Sequence, residues 1–359
     1  MTTNRGPRTA VNGRELRLWK VGWALTVTFT AATLAAGSVF YSLIALLDFQ
    51  EIDTTAKLDA KTLFDLVKLS FGVVAGAGAL VALVVAYRRQ RVDEAGAHRE
   101  ATRLHTERFS QAVDKLGSDS PAVRLGGVHS LAGLADDAPD NSLRQTCIDV
   151  LCAYLQLPFT PDPGEDAAHQ EERHRYLALR KVRQTILRLI GDHYRRPHGT
   201  HRSWQGSDLD LAGVTIEGHL DFSGAVFSGC VVSFDNARFS GGMVSFDNAR
   251  FSDGTVFFDS ARFSGGAVSF KGAQFVGGTV SFNFAAFSGC WVSFDASTFS
   301  SSRVSFEHAQ FVGGTVSFDN ATGSVPNGLQ EAASISRASA TLVIPSAWRA
   351  FLSWPHRGA

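Results

Sequence analysis

Methionine is nearly missing from this 359-residue chain, which has 2, and its 4 cysteines (Cys147, Cys152, Cys230 and Cys290) include no CxxC pair. That spacing excludes a disulfide framework and the common zinc and redox motifs, so the thiols are read as reduced. Missing too are a P-loop, GxSxG, HExxH, and GxGxxG in a strand-to-helix context, which removes the signatures of phosphate-cradling, serine-hydrolase, zincin and dinucleotide chemistry. His169 to His174 spell HQEERH, one residue too long for two ligands on one helical turn. His193, His198 and His201 fall among Arg195, Arg196 and Arg202, which would repel a cation, and no acidic ligand assists. The expectation is a protein without catalytic residues, cofactor or metal. An enzyme with an unrecognised site is the alternative.

Charge is missing in two places. Net charge sums to +0, but residues 21–47 and 69–87 carry no charged side chain at all. At about 20 apolar residues per spanning helix, both runs are long enough to cross a bilayer. Arg5, Arg8, Arg14, Arg17 and Lys20 precede the pair and Arg88, Arg89 and Arg91 follow it, whereas Asp48, Glu51, Asp53 and Asp59 fall between. The positive-inside rule then places both termini in the cytoplasm. The expected organisation is a cytoplasmic tail 1–20, a first span 21–47, an external loop 48–66 and a second span 67–87, in the cell membrane. Gly72 and Gly76 in the second span offer a surface for self-association.

The rest of the chain is expected to be cytoplasmic. Residues 88–118 read as a charged juxtamembrane helix with Ala97, Ala101, Leu104, Phe109, Val113 and Leu116 on helical spacing. Residues 119–203 read as three amphipathic helices in a HEAT-like pattern. Ser120-Pro121 starts the first, Asn141 or Ser142 opens the second, and the third runs from about Ala167 to Gly191. The third carries a strongly basic segment. Arg180, Lys181, Arg183, Arg188, Arg195, Arg196 and Arg202 are the candidate contacts to anionic lipid headgroups, against a solvated charged face as the plainer reading. Nucleic acid is disfavoured, because no base-stacking aromatics beyond Tyr176 and Tyr194 interleave these charges.

Residues 204–322 are organised by phenylalanine, recurring at spacings of five and then seven. One set is Phe222, Phe234, Phe246, Phe258, Phe270, Phe282, Phe294, Phe306 and Phe318, and the other is Phe227, Phe239, Phe251, Phe263, Phe275, Phe287, Phe299 and Phe311. So short a repeat means a solenoid whose units bury their apolar faces only by stacking. Small residues such as Ala237 and Ala249, and valines such as Val232 and Val244, stand two before each Phe and share its inward face. Ser, Asp, Asn and Arg are expected outward. Asp235-Asn236-Ala237-Arg238-Phe239 and Asp247-Asn248-Ala249-Arg250-Phe251 resemble the unit of pentapeptide-repeat proteins. With the arginine-biased, Ala/Gly/Val-rich composition, the whole looks like a membrane-anchored, actinobacterial-looking member of that family. The resemblance implies a right-handed, quadrilateral β-helix with the large residue in the core.

The seven-residue half departs from the family unit, and 24 residues per coil is preferred over twelve, whose perimeter of about 40 Å leaves little room for two Phe rings per turn. The resemblance also raises duplex-DNA mimicry directed at topoisomerases, which would need a continuous acidic stripe. The main expectation is a scaffold binding an unknown protein partner. Phe257, Phe284 and Trp291 stand off the grid as exposed aromatics. Residues 323–359 are expected to form a tail and a cap, with a strand at Ala340 to Pro345 and a short helix bearing Trp348, Phe351, Leu352 and Trp354.

Overall fold

The structure, a computed structural model, describes residues 60–159, 162–166, 169–300, 303–335 and 340–349, with scattered positions between 23 and 41. The tail 1–20, most of the run 21–47, residues 48–59 and the cap residues Phe351, Leu352 and Trp354 lie outside the described residues. The chain divides into two units, Met1–Arg99 and Glu100–Ala359.

In the first unit the described positions between 23 and 41 are helical, and the hydroxyls of Thr30 and Thr33 donate to the carbonyls of Thr26 and Phe29. Helix α1 (Ala60–Leu116) is one continuous element. It begins inside the expected loop 48–66 and has no break between the apolar run and the charged segment 88–118, because neither Pro nor a turn sequence interrupts it. Among the described residues no helix is long and apolar enough to cross a membrane.

In the second unit α1 ends with Ala112 and Leu116 buried. Helices α2 (Pro121–Asp136), α3 (Asn141–Gln156) and α4 (Gln170–Tyr194) follow. Ser120 is the N-cap of α2, as Pro121 at the first helical position predicts, whereas Asp140 caps α3, its carboxylate accepting from the Leu143 N–H at 2.9 Å. Their core joins Val128 and Leu131, Ile148 and Leu151, and Val182, Ile186 and Ile190. Glycine sets how closely the elements approach. A Cβ on Gly127 would lie 2.6 Å from the Leu116 nitrogen, and one on Gly191 would lie 2.5 Å from the Asp221 carbonyl oxygen. Gly191 therefore does not end α4, as its residue type suggests; it lets the helix, which runs on to Tyr194, touch the solenoid backbone.

The solenoid starts with β1 (Leu209–Asp210), β2 (Thr215–Ile216), β3 (Leu220–Asp221) and β4 (Val226–Phe227), one strand on each of four faces. All later coils add parallel strands to the same four sheets. Val232 pairs with Val256 on the first face, Phe239 with Phe263 on the second, Val244 with Val268 on the third and Phe251 with Phe275 on the fourth. Each partner is 24 residues on, so the coil has 24 residues and four sides. The first coil is one shorter, with Leu209 opposite Val232. The helix α5 (Leu329–Ile335) and the strand Ala340–Val343, which extends the third face in parallel, follow the last coil.

Phenylalanine fills the interior. All seventeen grid side chains are buried, stacked coil on coil: Phe246 lies 4.7 Å from Phe270 at 3°, and Phe239 4.7 Å from Phe263 at 6°. Rings of the first set also meet one another edge-on, as Phe246 meets Phe258 at 5.8 Å and 86°, the arrangement that aromatic quadrupoles favour, whereas those of the second set lie tilted against the first, as Phe251 does against Phe246 at 42°. Both ends are closed. Tyr194 of α4 covers Phe222 and Phe227, with centroids at 5.5 and 5.7 Å. At the other end, in helix α6 (Ser346–Arg349), Trp348 covers Phe299 and Phe318 at 5.6 and 5.7 Å, and its indole N–H donates to the Gly323 carbonyl at 2.9 Å.

Candidate anion and lipid interface

The basic segment of α4 divides into side chains that hold the fold and side chains that face solvent. Arg183 is a correction: it is buried, stacks over the Phe159 ring at 4.7 Å and donates to the Thr215 carbonyl at 3.3 Å. It sits where α4 meets β2, so it has no access to a headgroup, and burial lowers its guanidinium pKa. Arg180 approaches Glu217 at 3.9 Å, and the same carboxylate accepts from the Tyr176 hydroxyl at 2.7 Å. Burial and Glu217 push that phenol up to about 12. Arg196 donates to the Arg202 carbonyl at 3.4 Å, and Arg202 lies 3.7 Å from Asp136.

Lys181, Arg188 and Arg195 instead line a cleft of about 410 Å³ between α4 and the first coil, joined by Gln184, Asp192, His219 and Asp221. Arg188 pairs with Asp192 at 3.3 Å, and Arg195 bridges Asp192 and Asp221. Burial works against ionisation of Asp221, but its bonds with Ser223 and the Arg195 charge outweigh that and hold the carboxyl below its ordinary range. With both acids matched by arginines, the exposed Lys181 ammonium and the His219 ring are what the cleft offers an anion.

The histidines of this stretch separate. The buried His193 stacks on Trp204 at 4.2 Å and reaches the Asp136 carboxylate at 3.3 Å, and the Trp204 indole N–H donates to Asp136 at 3.0 Å. His201 is exposed, 3.7 Å from Asp137. Among the described residues no group of three or more His, Cys, Asp or Glu could hold a metal ion. The four thiols are buried and free, and burial pushes Cys147, Cys230 and Cys290 up to about 11 and Cys152 to about 12.

On the solenoid the acidic column works as a corner clamp. Asp235 accepts from the backbone N–H of Asp259 one coil on, Asp259 from that of Asn283, and Asn283 from that of Glu307, at 3.1, 3.1 and 3.0 Å. The opposite corner repeats this with Asp247 and Lys271, and with Asp295 and Asp319. The serines before the corner phenylalanines are not outward as expected. Ser245, Ser269, Ser281, Ser293 and Ser317 are buried, because at the corner their hydroxyls turn back; those of Ser269, Ser281 and Ser317 donate to Asp247, Asp259 and Asp295. Arg238 and Arg262 stack in register on the second face, with no ion pair to the acidic column among the described residues.

The off-grid aromatics differ. Phe284 is 61% exposed against His308, Trp291 is 44% exposed, and Phe257 is half-buried. Sequence reasoning passed over the first coil, where Leu211 and Ile216 form the core in place of Phe, Val214 in place of Ala and Leu220 in place of Val. The signal was there: Leu211 and Ile216 are five apart, but Phe222 follows six later instead of seven. No curated protein and no solved structure matches the chain. Residues 211–260 match a family model described as pentapeptide repeats (9 copies), and the four parallel sheets make the stretch from Leu209 to Gly323 of the second unit a β-solenoid that carries these repeats.

Proposed function

We propose that the chain is a non-enzymatic, membrane-anchored pentapeptide-repeat protein whose solenoid is a protein-binding scaffold on the cytoplasmic face. It would cross the cell membrane twice, with both termini inside. The observation that carries the anchor is the pair of charge-free runs, 21–47 and 69–87, with basic residues on their outer flanks and acids between. The described side chains support it: Trp23, Phe29, Leu34, Leu80, Leu83 and Tyr87 are all exposed, as lipid-facing residues would be. Of the basic residues lining the cleft, Lys181 is the proposed headgroup contact, since Arg188 and Arg195 are paired with Asp192 and Asp221. Self-association through the second run stays a secondary proposal.

The scaffold reading follows from the solenoid, which offers flat faces of parallel strands and a core given over to packing. Duplex mimicry is disfavoured, since Asp235, Asp247, Asp259 and Asp295 spend a carboxylate oxygen on the next coil's backbone. Alkaline carbonate extraction of membranes from cells expressing the full chain tests the anchor: retention in the pellet is expected, and release with peripheral proteins contradicts it. Crosslinking in intact cells tests the scaffold. A discrete adduct lost when solenoid surface residues are changed is expected, and the absence of any adduct across positions on all four faces contradicts it.

A further inference from the structure

The four solenoid faces differ in what they present to solvent. Each has a leading outward column, fixed by strand register; on the first face a second column of Ser233, Phe257, Ser281 and Ser305 is partly or wholly buried. On the first face the leading column runs Val231, Thr255, Thr279 and Arg303. The second has Thr215, Arg238, Arg262, Ala286 and Gln310, and the fourth Val226, Arg250, Gln274, Thr298 and Thr322. The third runs Met243, Ala267, Trp291, Thr315 and Thr341, and His219, next to Leu220 in the strand that pairs with Val244, heads it. It alone combines an outward tryptophan and a methionine, 44% and 46% exposed; like the other three columns it bears no acidic side chain, and Asp221 stands beside its head in β3. Phe284, the other fully off-grid exposed aromatic, stands at the corner between the first and second faces.

His219 also lines the cleft that holds Lys181, Arg188 and Arg195. The apolar column and the cationic cleft are therefore continuous along one side of the unit. Trp with its amphipathic ring, Met, and lysine or arginine at the same level are the residues that settle at a bilayer surface, the rings among the headgroup carbonyls and the cations on anionic phosphates. Asp192 and Asp221 do not oppose this, because Arg188 and Arg195 already match them. The face is a flat sheet with Met243 and Trp291 two strands, about 10 Å, apart, and a bilayer surface meets such a sheet along its whole length.

We infer that the third face of the solenoid rests on the anionic membrane surface, with Trp291 and Met243 at the interface and Lys181 engaging lipid phosphate, which leaves the first face turned to the cytoplasm for partners. This rests on the membrane reading above. The full chain is reconstituted into phosphatidylcholine vesicles with and without phosphatidylglycerol, and carbonate resistance is checked first. Nitroxide labels are placed on M243C and, as the control on the first face, on T255C; the native thiols are buried. Collision with a water-soluble nickel complex should fall several-fold for the Met243 site on adding phosphatidylglycerol, stay unchanged at Thr255, and recover in a Lys181→Glu, Arg188→Glu background. Equal accessibility of both sites in carbonate-resistant samples overturns the inference and leaves the face to a protein partner. Failure to resist carbonate overturns the membrane reading itself. Protection of the Met243 site by added free phosphate in place of lipid would reassign the cleft to a soluble anion and also overturn it.

Discussion

At the scale of single residues, the core grid and the corner clamp make opposite demands. Phe270 has no exposed surface and stacks between Phe246 and Phe294 at 4.7 Å on each side. Phe270→Ala removes both stacks and leaves a cavity, and is expected to cost about 3–5 kcal/mol. Phe284→Ala is expected to stay within about 0.5 kcal/mol, since the side chain is exposed and Ala296 already adopts the same left-handed backbone with φ 55. Denaturant unfolding of the two variants decides it, and equal losses would mean that the inward faces are misassigned. Asp235 tests the clamp. Burial, joined by the Asp259 and Asp210 charges, raises its carboxyl pKa, so the folded state favours the protonated form; that stability is present below the unfolded value of 3.8 and lost as pH rises through the folded one, which leaves the ionised carboxylate a penalty at neutral pH. Asn283 fills the same column with its amide oxygen making the same bond. Asp235→Asn should therefore unfold at higher denaturant than the parent at neutral pH, with the advantage shrinking toward pH 4 and below. An unchanged difference across that range would show that desolvation of this carboxylate is not what is being relieved.

At the scale of elements, glycine separates what holds the helices to the solenoid from what merely tolerates flexibility. Gly191→Ala would press a methyl against the Asp221 carbonyl at 2.5 Å, where backbone on both sides cannot move aside. Gly133→Ala, with nothing within 4 Å, should stabilise α2 by about 0.5–1 kcal/mol. Hydrogen exchange of the α4 and β3 amides would show the first change opening that contact and the second leaving it closed, and matching protection in both variants would refute the close-approach role. Gly191 also marks where sequence reading stops. A glycine after an apolar helical stripe signals a helix end, and only the neighbouring coil reveals that it serves contact. The Phe grid was legible because identical residues recur, whereas the first coil was not, because Leu211 and Ile216 replace Phe, Leu209 replaces Val, and one residue is missing before Leu220. Buried Ser269 and Ser281 were misread as outward, since alternation assumes a straight strand and these positions are at corners.

At the scale of the molecule, a β-solenoid closed at both ends follows, in chain order, the charge-free runs proposed as its anchor. The candidate lipid contacts were legible only as a basic run. Their division into Arg183, packed between α4 and β2, and Lys181, Arg188 and Arg195, lining a cleft, depends on which side of one helix each falls and on Asp221, supplied by a distant strand. The claim on which the scaffold, the lipid contact and the oriented face all depend is that two spans place the solenoid in the cytoplasm. Paired reporters test it directly: an alkaline phosphatase, active only outside, and a fluorescent protein, bright only inside, each fused after Ala359 and, separately, inserted at Thr55. Fluorescence without phosphatase activity is expected at Ala359, and phosphatase activity without fluorescence at Thr55. Phosphatase activity at Ala359, or fluorescence at both sites, would contradict the claim.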